Sequence, residues 1–262
     1  MVKKQHTKLL SLKFRKKAIV NSIAFFFVVN FIQTSTSEKI RTHLMAQALI
    51  EELVSKAQQH ESQTGALLIR LEQQMPNLPK SIALPQTDPA IALKSFVVEY
   101  ISHVPSFIGA VSFAAVDAGI DPYVSPFLEV ATDFLLSPKG DSEEPLGYLE
   151  LMEQAYLAHR LIEEVNDQYI VQAGIPLIPM DVTKANIIVH HLLGETLANS
   201  LDDVVEETAR QMTSQDIVYS SEKFKKYVEI RKGKGWDQVW KQWSDMTRFL
   251  EVDLSLKKEE SY

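Results

Sequence analysis

The chain contains no cysteine. That excludes disulfides, zinc sites of the cysteine type, iron–sulfur clusters and thiol catalysis. It leaves the compartment open, because exported and cytosolic proteins both do without cysteine. Glycine is scarce, with 9 residues in 262, too few for a fold built on tight turns. Short alternating runs of the strand type are nearly absent as well. No P-loop, Rossmann glycine pattern, nucleophile elbow or Ser-His-Asp order occurs. What remains is an ordinary globular composition, 45% hydrophobic and 23% charged, on a chain long enough to bury a sizeable core.

The formal charge of −7 hides an asymmetry. Residues 1–17 carry Lys3, Lys4, Lys8, Lys13, Arg15, Lys16 and Lys17 and no acid, which leaves the rest of the chain at −14. An acidic body argues against a broad nucleic-acid surface, so no nucleic-acid partner is expected. Residues 18–32 (AIVNSIAFFFVVNFI) are apolar apart from Asn21, Ser22 and Asn30. This run is shorter than the roughly 20 residues that span a bilayer, and it suits a signal h-region of about 7–15 residues. Residues 34–37 are small enough for cleavage but lack an A-x-A pattern. Residues 1–37 thus read as an anchor or interfacial segment touching membrane through 1–32, a cleaved signal, an over-extended start or an ordinary buried helix. The protein is accordingly membrane-associated or cytoplasmic, or exported if the segment is a cleaved signal. Residues 38–262 form a single all-α domain.

Along that domain the apolar spacing is helical. Ala46, Leu49, Ile50 and Leu53 fall at i, i+3, i+4 and i+7 of a helix over 38–74. Asp88-Pro89 opens the next with a capping residue and proline at N1, ending near His103 before Pro105. Two short helices follow over 105–119 and 122–136, then the loop LSPKGDSEE. A long helix over 145–173 and another over 181–212 form the central hairpin, with further helices over 222–231 and 236–249. The expected fold is an all-α helical bundle of about six to eight helices.

Two of these helices repeat the pattern H-x-L-x-E, as His159–Glu163 and His191–Glu195. On the 145–173 helix, at about 100° per residue, His159 and Asn166 lie near the centre of the apolar arc and Glu163 on its shoulder. Arg160, Glu153 and Glu164 point away. On the 181–212 helix His190 sits within the arc, and His191, Glu195 and Asp202 line its edge. Glu99 and His103 form a third pair at i, i+4, a spacing that lets two side chains reach one ion. Inward ionisable groups must pair or bind metal. Three helices each offering one carboxylate and one imidazole suit a di-iron or di-manganese centre, with Glu99, His103, His159, Glu163, His191 and Glu195 as metal ligands. His190 or Asn166 would orient them. The E-x-x-H motif usual in such bundles is absent, and roughly two acidic i±4 pairs among seven histidines are expected by chance, against three present.

Asp202-Asp203-Val204-Val205-Glu206-Glu207 has the D-D-x-x-E spacing of helices that hold Mg²⁺ and pyrophosphate. It is similar to segments of all-α prenyl-diphosphate enzymes and NTP pyrophosphohydrolases. Its acids spread around the helix, however, and no basic cluster accompanies them, so a solvated acidic face is the competing reading. Trp236, Trp240 and Trp243, joined by Val239, Met246 and Leu250, make one apolar stripe expected to dock on the bundle. Lys232, Lys234 and Lys241 nearby also suit a partner or membrane surface. Three functions follow: a metal-dependent enzyme using Fe or Mn, a non-catalytic helical protein binding a partner or membrane, and a Mg-dependent diphosphate-handling enzyme.

Overall fold

A computed structural model describes residues 36–136, 147–174, 182–212, 221–233 and 252–254. Among them 87% are helical, in eight α-helices: α1 (Thr36–Thr64), α2 (Ala66–Gln74), α3 (Pro89–Ala118), α4 (Asp121–Leu136), α5 (Tyr148–Ala173), α6 (Thr183–Leu193), α7 (Glu195–Met212) and α8 (Glu222–Gly233). A two-residue antiparallel pairing joins Ile82–Ala83 (β1) to Asp253–Leu254 (β2). The all-α bundle is therefore as the spacing predicts. The basic and apolar segment and the tryptophan stripe lie outside the described residues.

Helix α5 is the central strut and packs on α1, α3, α4, α6 and α7. Its predicted arc is buried throughout: Tyr148, Leu151, Met152, Ala155, Ala158, Ile162, Val165 and Tyr169 are all 3% exposed or less. The hydrophobic effect on this face drives the bundle together.

Helix boundaries depart from expectation where proline and glycine were weighed by rule. Pro105 does not end a helix: α3 runs through it for 30 residues. Its missing N–H affects one backbone bond, while Tyr100, Ile101, Val104 and Ile108 around it are buried, and packing outweighs the local cost. Asp88 makes no side-chain cap and has φ +48°. The 38–74 segment breaks at Gly65 into α1 and α2. There Glu61, 4% exposed, accepts the Leu67 and Leu68 N–H groups at 2.8 and 3.3 Å and pairs with Lys94 of α3 at 3.1 Å. A carboxylate at the N-terminus of α2 answers its unpaired N–H groups and fixes three helices together.

Gly119 ends α3 with φ +71°. The Gly119 N–H donates to the Val116 carbonyl at 3.1 Å and the Ile120 N–H to that of Ala115 at 2.9 Å, while Ile120 is fully buried. A Cβ here would lie 2.3 Å from Lys223 Cδ, so glycine also lets α8 cross this corner.

Candidate functional site

Four helices bring polar side chains to one place. On α5, Tyr156, His159, Arg160 and Glu163 follow the spacing i, i+3, i+4, i+7, which stacks them on one side. On α6, Thr183, Asn186 and His190 do the same. Tyr100 comes from α3 and Asp202 from α7.

Glu163 lies at the centre. It accepts from Thr183 Oγ1 at 2.6 Å, from Asn186 Nδ2 at 2.7 Å and from Arg160 Nη1. Asn186, 3% exposed, accepts from the Tyr100 hydroxyl at 2.6 Å. Arg160 reaches the other way, donating through Nε to Asp202 at 3.0 Å. The Tyr156 hydroxyl donates to Asp202 at 2.9 Å, and His190 Nδ1 lies 3.1 Å from that hydroxyl and 3.4 Å from Asp202. A hydroxyl that donates to Asp202 accepts from His190, which places the imidazole proton on Nδ1. The network runs unbroken from α3 through α6 and α5 to α7.

The electrostatics follow from this pairing. Burial opposes the Arg160 charge, but Asp202 and Glu163 outweigh it and hold the guanidinium above its ordinary value. Burial, then the Asp202 carboxylate, raises the Tyr156 phenol. Burial raises Tyr100 well above the usual phenol range. Both tyrosines therefore stay neutral donors and are poorly suited to act as bases.

His159 stands apart from this network. It is fully buried, and its Nε2–H donates to the Tyr100 carbonyl at 2.8 Å. A carbonyl only accepts, so Nε2 carries the proton and Nδ1 presents a bare lone pair, which has no hydrogen-bond partner. The ring sits 4.2 Å from that of Tyr100 and 5.1 Å from that of Phe107. Burial, only partly offset by the Tyr100 carbonyl, lowers its pKa to about 4.

No known family model, curated protein or solved structure matches this chain. The site is accordingly read from its own geometry.

Of the six residues read as metal ligands, His159 and Glu163 are inside, as expected, but they address different partners. Glu99 and His103 do meet, Nδ1 to Oε1 at 3.3 Å, yet with side chains 48% and 35% exposed they face outward. His191 and Glu195 do not share a helix. Gly194, with φ +86°, splits the expected 181–212 helix into α6 and α7, leaving Glu195 exposed and His191 half-buried. Burial and the neighbouring His190 lower the His191 pKa, against a raising effect of Glu195. Among the described residues no group of three His, Asp or Glu side chains converges as a metal site. The D-D-x-x-E acids also diverge: Asp202 turns inward to Arg160, Glu207 pairs with Arg210, and Asp203 and Glu206 are exposed.

Sequence reasoning missed Tyr100, Tyr156, Arg160, Thr183 and Asn186. Arg160 was assigned to solvent, yet its side chain is only 30% exposed. The available signal was its placement three residues before Glu163 and four after Tyr156. A long guanidinium on the flank of an apolar arc can bend back to carboxylates at its border. Changing Tyr156→Phe should test this half of the network. It removes one hydroxyl that Asp202 and His190 share, and should lower unfolding free energy by about 1 kcal/mol in urea titration. A loss below a few tenths would show that the hydroxyl is equally well served by water.

Proposed function

We propose that this chain is a non-catalytic helical protein that acts by binding a protein partner. The observation that carries the reading is the state of its interior polar groups. Arg160 is held between Glu163 and Asp202, and both carboxylates accept further bonds, Glu163 from Thr183 and Asn186 and Asp202 from Tyr156. Groups so engaged hold four helices in register and are not poised to exchange protons or ligands. The means of action then lies on the surface. Val171 is 78% exposed and Ile170 37% in the last turn of α5, and Ile230 is 46% exposed on α8. The ends of these two helices meet where Lys232 lies beside Gly174. Exposed apolar side chains gathered at one end of a bundle suit a protein interface.

The test is cross-linking of the full chain in an extract of its own cells. A single stoichiometric protein partner is expected, lost on Val171→Asp while the melting curve stays unchanged. Recovery of the chain alone, or capture only on phospholipid vesicles, would overturn the reading.

The metal-dependent enzyme stands as a second reading on one observation, the unpartnered Nδ1 of His159. A lone pair inside the bundle is the donor that an Fe or Mn ion would need. Stability should then rise with added metal roughly as RT ln(1 + [L]/Kd). Under the partner-binding reading, the melting temperature is unmoved by chelator or by Fe²⁺, Mn²⁺ and Zn²⁺. Purified protein then holds less than about a tenth of an equivalent of any of them.

A further inference from the structure

We propose that two copies of this chain pair through the outward faces of their α3 helices, which run antiparallel about a two-fold axis at Ser102. Ile91, Ser95, Ser102, Ser106, Gly109 and Phe113 are all exposed. At about 100° per residue they fall within a sector of roughly 60° on α3. Ile91 is 54% exposed and Phe113 76%. Between these two large side chains the stripe is small. A Cβ at Gly109 would meet no atom within 4 Å, and the Ser102 hydroxyl donates to the Val98 carbonyl of its own helix at 2.8 Å. That serine therefore brings no unmet donor to an apolar contact.

The order of these residues selects a second copy as the occupant. Counted outward from Ser102, the two sides of the stripe mirror each other. Ile91 answers to Phe113, Ser95 to Gly109 and Val98 to Ser106. An antiparallel pair centred at Ser102 thus sets large against large at both ends and small residues in between. The small residues let the backbones approach, and Phe113 of each copy reaches Ile91 of the other. Charge agrees with this pairing. Lys94 and Glu99 are the only charged residues in 89–116, and Lys94 is taken by Glu61 of its own copy. Glu99 and His103 share one flank of the stripe, and a two-fold axis brings equal flanks together. Glu99 then lies about 3 Å along the helix from His103 of the second copy, but about 9 Å from its own twin. From Ile91 to Phe113 the stripe rises about 33 Å, so at one helix width it covers roughly 350 Å² on each copy. Stable interfaces start near about 600 Å² per partner, so this pair is a weak dimer.

Sedimentation equilibrium of the full chain should show monomer and dimer exchanging with a Kd of about 10–300 µM. Phe113→Asp should weaken the pair at least about tenfold by setting a charge against Ile91. Gly109→Arg should do the same by holding the helices apart, and it keeps the fold because the position is open and glycine is the poorer helix former. Val171→Asp, at the end assigned to the protein partner, should leave the dimer unchanged, so the two readings fail separately. The chain has no cysteine, and a single introduced thiol therefore reports the register. Under mild oxidation Ser102→Cys, on the axis, should join two chains at least about tenfold faster than Ser95→Cys, whose counterpart lies about 21 Å away along the helix. A chain still monomeric at about 500 µM would overturn the proposal. So would a dimer indifferent to both α3 variants, or equal oxidation rates for the two cysteine variants. A thiol of Ser102→Cys shielded from maleimide in the monomer would assign the face to another part of the same chain, and pairing only on phospholipid vesicles would assign it to a membrane. Either result also overturns it.

Discussion

Replacing Glu163 by leucine should lower the unfolding free energy by about 2–4 kcal/mol. Its carboxylate is the shared acceptor for Thr183, Asn186 and Arg160. Removing it leaves the nearly buried Asn186 amide without its acceptor and a guanidinium balanced by Asp202 alone, whereas the hydroxyl of Thr183, an exposed residue, can turn to water. Each stranded donor costs about 1–3 kcal/mol when water cannot reach it. The cost stays below that of a deeply buried pair because Arg160 is about one-third exposed and water can solvate it again. For a domain of this size the melting temperature should fall by roughly 5–15 °C. Asn186→Leu should cost about 1–3 kcal/mol, because it breaks the links to both Tyr100 and Glu163. The double variant should cost less than the two single losses together, since they remove one shared bond. Glu195→Leu provides the contrast. Glu195 is exposed, and its loss should stay within about 0.5 kcal/mol. Equal losses at Glu163 and Glu195, each restored by added metal, would instead favour the shared-ion reading.

That contrast shows how far residue spacing could be read. The periodicity of residues 148–169 specified a buried helical face, and the structure buries every apolar member of that arc, while Asn166 at its centre is half-buried. It also placed His159 and Glu163 inside. A one-dimensional pattern gives the face a residue occupies but not the partner on another helix, so i, i+4 neighbours were read as pairs. In the structure the decisive partners are far apart in sequence: Asn186 for Tyr100, Asp202 for Arg160, and the Tyr100 carbonyl for His159. Gly194 illustrates the second limit. Glycine is tolerated within helices, and nothing adjacent to it states that φ will be +86°; that conformation is set by how α6 and α7 each pack on α5. Pro105 errs in the opposite direction. The proline rule describes an isolated helix, whereas the apolar residues flanking it in α3 gain more from continued burial than one missing N–H costs.

Acid should weaken this protein through His159. An imidazole in the unfolded chain takes up a proton near pH 6.5, whereas the buried ring stays neutral until about pH 4. Between those values the unfolded state binds more protons, so stability rises with pH across that window. The contribution is fully present above pH 6.5 and is lost progressively as pH falls toward 4, reaching about 3 kcal/mol. Other titrating groups contribute as well, so the informative quantity is the difference between the protein and a His159 variant at each pH. His159→Phe keeps an aromatic ring between Tyr100 and Phe107 and gives up only the bond to the Tyr100 carbonyl. At pH 7.5 it should cost about 1–2 kcal/mol. As pH falls below 6.5, that deficit should shrink and then reverse, with a slope of up to about 1.4 kcal/mol per unit. Urea titrations at half-unit steps from pH 4 to 7.5 measure it directly. Parallel curves for the two proteins would show that His159 is solvated or has a proton-accepting partner, and a crossover that moves with added Fe²⁺ or Mn²⁺ would place an ion on Nδ1. The expected crossover, indifferent to metal, follows from a buried histidine whose single donor is satisfied and whose lone pair has no hydrogen-bond partner.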